Sequence, residues 1–299
     1  MEESGTPVSV LSALEPSASV NSRARWLWDY LKLLLVACTR HRDDLAILAW
    51  PVLGYWDFVI VRIVLGREAW VVIHDPMPLA RAADSRVPGY GRWPRRLAGS
   101  RFAQPTAIVH SDEAATSIRE SIRLKSMALL PLPMLQPTPK SGRRTDGVTI
   151  RVLGQYKANR DLSVLERLAE TRRAGWHYEI LGRGWEAVPG WKTVDRYVPE
   201  AELNELIRAS DAVVIPYRWF FQSDIAVRSL EWCTPIVGPK QSSLASLVGQ
   251  GTGWLTDDNW ELAVATAVET EREEVLEVAK YAYDRARSEW TSWLREGGR

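Results

Sequence analysis

The chain has 299 residues and a mass of 33.8 kDa, twice the usual size of one domain. Hydrophobic residues make up 46% and charged residues 25%, which excludes disordered, collagen-like and low-complexity chains. Lys and Arg number 38 against 37 Asp and Glu, so no global charge marks a nucleic-acid partner, and two distant cysteines, Cys38 and Cys233, exclude a disulfide scaffold and suit a reducing cytosol.

In chain order, apolar β-branched runs alternate with helical patterns. The first half predicts strands at Val8–Leu11, Leu45–Trp50, Ala69–Ile73, Thr106–Val109 and Met127–Leu130, with helices at Ser22–Thr39, Trp56–Leu65 and Glu113–Arg123. The run Trp26–Cys38 is too short for a bilayer span and is broken by Asp29 and Lys32. It suits a buried amphipathic helix better than one lying on an anionic membrane. Pro131–Gly147 holds four prolines and reads as a stiff connector. Beyond it, strands are predicted at Val148–Leu153, His177–Leu181, Val194–Val198, Ala212–Ile215 and Pro235–Val237. Helices are predicted at Leu162–Arg172, Glu200–Arg208, Ile225–Cys233 and Trp260–Glu269, then a long closing helix to about Leu294. Continuous apolar strands separated by helices predict an α/β chain of two doubly wound, Rossmann-like domains facing a cleft. The expected boundaries are 1–135 and 148–299, joined by a linker at 136–147.

In such sheets chemistry stands beyond the carboxyl ends of the strands. After Val148–Leu153 come Gly154, Lys157 and Arg160, a glycine turn with two cations before a helix, which suits an anion or a plain solvated loop. After His177–Leu181 come Gly182, Arg183 and Gly184. Ser223 stands at a helix N-terminus, as an N-cap or a phosphate site, with Glu231 two turns on along a similar face. His74 and Asp75 follow the Ala69–Ile73 strand, where an imidazole or carboxylate serves as base or sugar ligand, or simply caps the loop. His110, before Ser111, reads as part of a helix cap. Histidines and cysteines without ligand spacing predict no metal site. Residues 1–146 carry 19 Lys/Arg against 14 Asp/Glu, and the rest 19 against 23. Arg81, Arg86, Arg92, Arg95, Arg96 and Arg101 fall in one stretch opposed only by Asp84.

Three segments, VLGQYKANRDLSVLERLAE (152–170), RYVPEAELNELIRASDAVVIPYR (196–218) and FQSDIAVRSLEWCTPIVGPKQSSLASLVGQGTGWL (221–255), resemble nucleotide-sugar glycosyltransferases of the GT-B fold. They are similar to the family-4-like group of bacterial polysaccharide assembly, as are ILAWPVLGYWD (47–57) and WVVIHDPMPL (70–79). The resemblance implies transfer of a sugar from a nucleoside diphosphate sugar to a glycan or lipid-linked glycan, with no other cofactor. It makes the first domain the acceptor-binding domain and the second the nucleotide-sugar-binding domain. Arg160 stands at the donor-phosphate position, assisted by Lys157, while Gln155 replaces a usual arginine. The Val198 loop would hold the base by its backbone, Glu231 the ribose, and His74 would approach the transferred sugar. Asp75 is the base if the reaction inverts. Ser223 replaces the first glutamate of the E-x7-E pair. Asp224 then sets a carboxylate near the diphosphate, at a cost of about 1 to 4 kcal/mol at ~4 Å unless a metal or an arginine such as Arg183 or Arg218 relieves it. No glycine-rich loop follows Val8–Leu11, so the first domain reads as trimmed. The arginine stretch would meet the acceptor or an anionic membrane, placing the protein in the cytoplasm or at the membrane's inner face. The competing reading is a non-catalytic GT-B-fold binding or partner subunit of a polysaccharide-assembly complex.

Overall fold

A computed structural model of the chain describes residues 8–12, 23–41, 43–66, 69–78, 89–139, 147–249 and 251–297. It divides into two compact units. One holds the described residues up to Pro78, from Gly89 to Leu130 and from Glu289 on; the other holds Pro131–Pro139 and the chain from Gly147 to Ser288.

The first unit runs α1 (Arg23–Arg40), β1 (Ile47–Leu48), α2 (Trp56–Leu65), β2 (Trp70–Val72), α3 (Arg92–Ala98), β3 (Thr106–Val109), α4 (Asp112–Ser121) and β4 (Ser126–Leu129). Its sheet is parallel, in the order β1-β2-β3-β4. Successive strands step in one direction, so right-handed crossovers put α2, α3 and α4 on one face. Trp70, Val72 and Ile108 point to the other face, where Trp293 covers them, its ring edge-on to Trp70 at 5.1 Å. The strand expected at Val8–Leu11 does not form. These residues are irregular and Val10 is 80% exposed, so the run has neither a ladder partner nor a core to face. Helix α3 falls where no element is expected from the sequence; Pro94 lies in its first turn, where the missing N–H has no helical partner to lose. The Trp26–Cys38 stretch lies within α1, which buries Tyr30 and Leu34 against α2 and leaves Trp28 and Leu35 exposed.

The second unit runs β5 (Val148–Leu153), α5 (Leu162–Glu170), β6 (Trp176–Leu181), β7 (Lys192–Val194), α6 (Glu200–Arg208), β8 (Ala212–Val214), α7 (Asp224–Glu231), β9 (Ile236–Val237), α8 (Leu244–Val248), α9 (Trp260–Glu269) and α10 (Arg272–Arg295). Its parallel sheet has the order β7-β6-β5-β8-β9, which reverses between β5 and β8. Both faces are apolar: Ile150, Val152, Ile180, Val213, Ile236 and the fully buried Trp254 belong to one core. The strand expected at Val194–Val198 is instead Lys192–Val194, since this edge strand has only β6 to pair with and β6 ends opposite it at Leu181. Helix α10 packs Val275, Ala279 and Ala282 on this core and ends in the first unit through Trp293.

Candidate functional site

Strand order reverses between β5 and β8, and it is at the carboxyl ends of such a switch point that doubly wound sheets bind ligands. Gly154 follows β5 with φ +91°, a left-handed conformation that glycine adopts without cost. Its N–H donates to the Leu181 carbonyl (3.0 Å), and its own carbonyl accepts from Trp185 Nε1 (2.9 Å). Gly182 faces it so closely that a Cβ there would collide with the Gly154 carbonyl. The two loops therefore meet backbone to backbone. The β5–α5 loop is also tied to the loop after β8. Asp161 N–H donates to the Pro216 carbonyl (2.6 Å), Arg218 N–H to Asn159 O (2.9 Å) and Asn159 Nδ2 to Trp219 O (2.7 Å).

Arg160 sits at the centre of this junction, 4% exposed. Its Nη2 donates to the carbonyls of Leu153 (3.0 Å) and Gln155 (3.1 Å). The guanidinium carbon lies 4.9 Å from the Trp185 ring centroid and 4.7 Å from that of Tyr217. Its Nε is buried without a hydrogen-bond partner, and among the described residues no carboxylate forms an ion pair with it. Burial lowers its pKa, yet a guanidinium stays charged at any physiological pH. Two aromatic faces and two carbonyls stabilise the cation in part, but they supply no negative charge.

Around it the other expected donor residues take different places. Lys157 and Arg183 are exposed on the two loops, and Val198 is half-buried against the core in the segment entering α6. Ser223 is the N-cap of α7, its hydroxyl accepting from Ala226 N–H (3.3 Å). Asp224 is exposed in the first turn of α7, where the helix dipole favours a carboxylate. Arg218 is paired instead with Asp161 at 3.6 Å, the N-cap of α5. Ile225 lies within 3.8 Å of the point where a Gly154 Cβ would stand, so the start of α7 adjoins the β5 loop. Glu231, in the last turn, is half-buried; its Oε1 accepts from Leu135 N–H (2.7 Å), and its backbone carbonyl from Thr138 N–H (2.7 Å). Burial pushes its carboxyl upward, opposed by the Leu135 N–H and by Arg228.

In the first unit, Trp50, Gly54, Tyr55, His74, Asp75 and Tyr90 help line a cavity of about 140 Å³. His74 Nε2 donates to the Ala49 carbonyl (2.9 Å), and its ring lies 4.5 Å from that of Trp50. Tyr90 donates to the Asp75 backbone carbonyl (3.2 Å), and burial, aided by the Asp75 carboxylate, pushes its hydroxyl up to about 12. In α2, buried Asp57 accepts from Tyr30 Oη (2.6 Å) and Leu53 N–H (2.7 Å). Its carboxyl is pushed up to about 6 by burial.

His110 was not read as part of a site. The cap expected there is Ser111, which accepts from Ala114 N–H (3.1 Å). The His110 ring instead lies 5.5 Å from that of His74. The signal was available: Val72 pairs with Ile108, so continuing the register sets the two histidines side by side beyond adjacent strands. His110 Nδ1 donates to the Leu130 carbonyl (2.8 Å) and its Nε2 is buried without a partner; burial pulls the imidazole down to about 4. The unfolded chain takes up this proton near pH 6.5 and the folded chain only near 4, so stability is full above pH 6.5 and is lost as pH falls through that window. Asn at this position keeps a donor for Leu130 without titrating. Relative to wild type, His110→Asn should therefore gain about 3 kcal/mol between pH 7 and pH 4. The check is the difference in urea stability at the two pH values.

Arg81 and Arg86 lie outside the described residues. Arg92 and Arg96 are exposed on α3, as expected of contact residues, but Arg95 is not. It turns inward, with its guanidinium 5.7 Å from the Tyr55 ring and its Nε buried. Among the described residues no group of three or more His, Cys, Asp or Glu is arranged to hold a metal, and no helix is long and apolar enough to cross a membrane.

No family model and no curated protein matches this sequence. Solved structures do match by fold. HepE of Anabaena, in complex with UDP and glucose, superposes with a TM-score of 0.61 at 15% identity, over 89% of this chain and 81% of that one. A UDP-forming α,α-trehalose-phosphate synthase from Burkholderia xenovorans, in complex with glucose-6-phosphate, gives 0.61 at 12% identity, over 93% and 77%. TarM gives 0.60 at 11% identity, and this chain spans 57% of its length. The fold is GT-B. At these identities the likeness concerns the backbone. Within this GT-B chain, Gly154, Arg160, Gly182 and the start of α7 come together in the second unit, and His74, Asp75 and His110 in the first.

Proposed function

We propose that the protein is a glycosyltransferase that moves a sugar from a uridine diphosphate sugar to a glycan or lipid-linked glycan at the inner face of a membrane. One observation carries the reading: Arg160 is a buried cation with no carboxylate partner among the described residues, at the switch point of a doubly wound sheet. A buried unpaired charge costs several kcal/mol, and a bound anion offsets that cost. The donor's diphosphate is such an anion, with Lys157 and Arg183 at the mouth and the α7 N-terminus beside it. The choice of uracil is supported by solved structures of the same fold that hold UDP. The Val198 segment would hold the base, and Glu231 the ribose.

During transfer the bond from the sugar to the diphosphate oxygen breaks, with both electrons staying on that oxygen. Arg160 stabilises the charge as it grows, and it is already in place. An acceptor hydroxyl attacks the sugar carbon, and its proton passes to the departing diphosphate oxygen if configuration is retained or to Asp75 if it is inverted, while His74 would face the transferred sugar. Asp224, being exposed, points its charge into water, so the repulsion expected of it is screened. The test is UDP release from a panel of UDP-sugars with and without glycan acceptors. Acceptor-stimulated release that is absent in Arg160→Met is the expected result.

Glu231→Ala should weaken UDP about tenfold and leave pyrophosphate unchanged, because only UDP carries a ribose; competition titration of both ligands checks this. A second reading has its own observation. Ser223 Oγ and Glu231 Oε1 each already accept an internal N–H, as suits a subunit that kept the fold without the chemistry. That reading requires no UDP release and no saturable UDP binding.

A further inference from the structure

The outer face of α3 is ordered in stripes. At 3.6 residues per turn, Arg92 and Arg96 share one line of the helix, Trp93 and Leu97 the next, and Pro94 and Ala98 a third. Only the third line is buried. Trp93 is 72% exposed and Leu97 42%, and just past the helix Phe102 is 61% exposed beside exposed Arg101. A tryptophan and a phenylalanine this open cost free energy in water unless something covers them. From Gly89 to Ser111 the chain carries four arginines and no acidic residue. The described part of the arginine stretch thus combines aromatic anchors with positive charge that no neighbouring acidic residue in the sequence opposes, on one short helix and the turn after it.

We propose that α3 and the turn after it form an interfacial anchor that seats the first unit on an anionic phospholipid bilayer. Trp93, Leu97 and Phe102 would enter the boundary between headgroups and acyl chains, and Arg92, Arg96 and Arg101 would meet the phosphates. The charge decides the occupant. A neutral glycan would stack on Trp93 but leave the arginines unanswered, whereas an anionic bilayer answers both kinds of residue. The proposal deepens the membrane contact named above by assigning it a surface and a lipid class.

Flotation of the full-length protein with vesicles tests it, comparing pure phosphatidylcholine with a mixture containing about one-third phosphatidylglycerol. Binding should occur only to the mixture and should decline as salt rises from 0.05 to 0.5 M. Arg92→Gln with Arg96→Gln should lower partitioning about thirtyfold, and Trp93→Ser should lower it even at low salt. Equal binding to both vesicles, binding to neither, or unaltered binding by these variants would overturn it, and capture of a protein partner through Trp93 would replace it. UDP-induced stabilisation is measured on each preparation. If vesicles bind but UDP does not, the anchor stands and the donor reading fails; if UDP binds and vesicles do not, the reverse holds.

Discussion

Arg160→Met should weaken UDP binding by about 30-fold or more while leaving the ligand-free protein nearly as stable as wild type. The two effects separate because the guanidinium is poorly compensated in the empty site. Removing it forfeits two charge-assisted hydrogen bonds to the Leu153 and Gln155 carbonyls, about 1.5 to 3 kcal/mol each, and the stacking on Trp185 and Tyr217. It also removes the desolvation cost of a buried charge, which is several kcal/mol, and the methionine thioether refills the space between the rings. The two sides offset. Nothing offsets the loss in the complex, where the diphosphate would be left without its buried partner. Truncating one side of such a pair costs about 2 to 5 kcal/mol, so affinity should fall roughly 30-fold to several thousand-fold. Calorimetric titration and a melting curve on the same sample read both effects. Unchanged UDP affinity would make Arg160 a purely structural staple.

Gly182→Ala should cost about 3 kcal/mol and lose the donor site with it. The new methyl group would fall on the Gly154 carbonyl, and that carbonyl cannot yield easily. Gly154 is held by its N–H to Leu181, by Trp185 Nε1 on its oxygen, and by its own left-handed φ. Relief requires the ends of β5 and β6 to part, which moves the loop that carries Arg160. For a unit of this size the expected fall in melting temperature is about 6 to 12 °C. Gly251→Ala is the control, since a Cβ there meets nothing within 4 Å, and it should melt as wild type does. A Gly182→Ala protein that melts normally and binds UDP would show that the close approach of the two loops is not required.

Where one element's own residues decide its form, the sequence was easily read. Helices α6 and α9 and strand β5 occur at the positions expected from local pattern: α9 begins at an Asn259 cap, and β5 is a continuous apolar run in the middle of the sheet. Features decided by a distant partner were not legible. The edge strand β7 is set by where β6 ends. At the site, Gly154, Gly182 and Ser223 stand at the expected turns and cap. Arg160 is expected in its loop as an anion ligand or a solvated cation, and its burial is not legible because nothing local announces that Trp185 and Tyr217 enclose it. The bond from Leu135 to Glu231 joins residues 96 apart, and Arg95 turns inward only because Tyr55 is there to receive it.

The most direct measurement is calorimetric titration of UDP into the wild-type protein without added metal, with pyrophosphate as competitor. Saturable binding of one UDP per chain, displaced by pyrophosphate and at least about 30-fold weaker in Arg160→Met, is what a buried cation awaiting a diphosphate requires. No binding of either ligand at millimolar concentration would contradict the assignment of this switch point as a donor site.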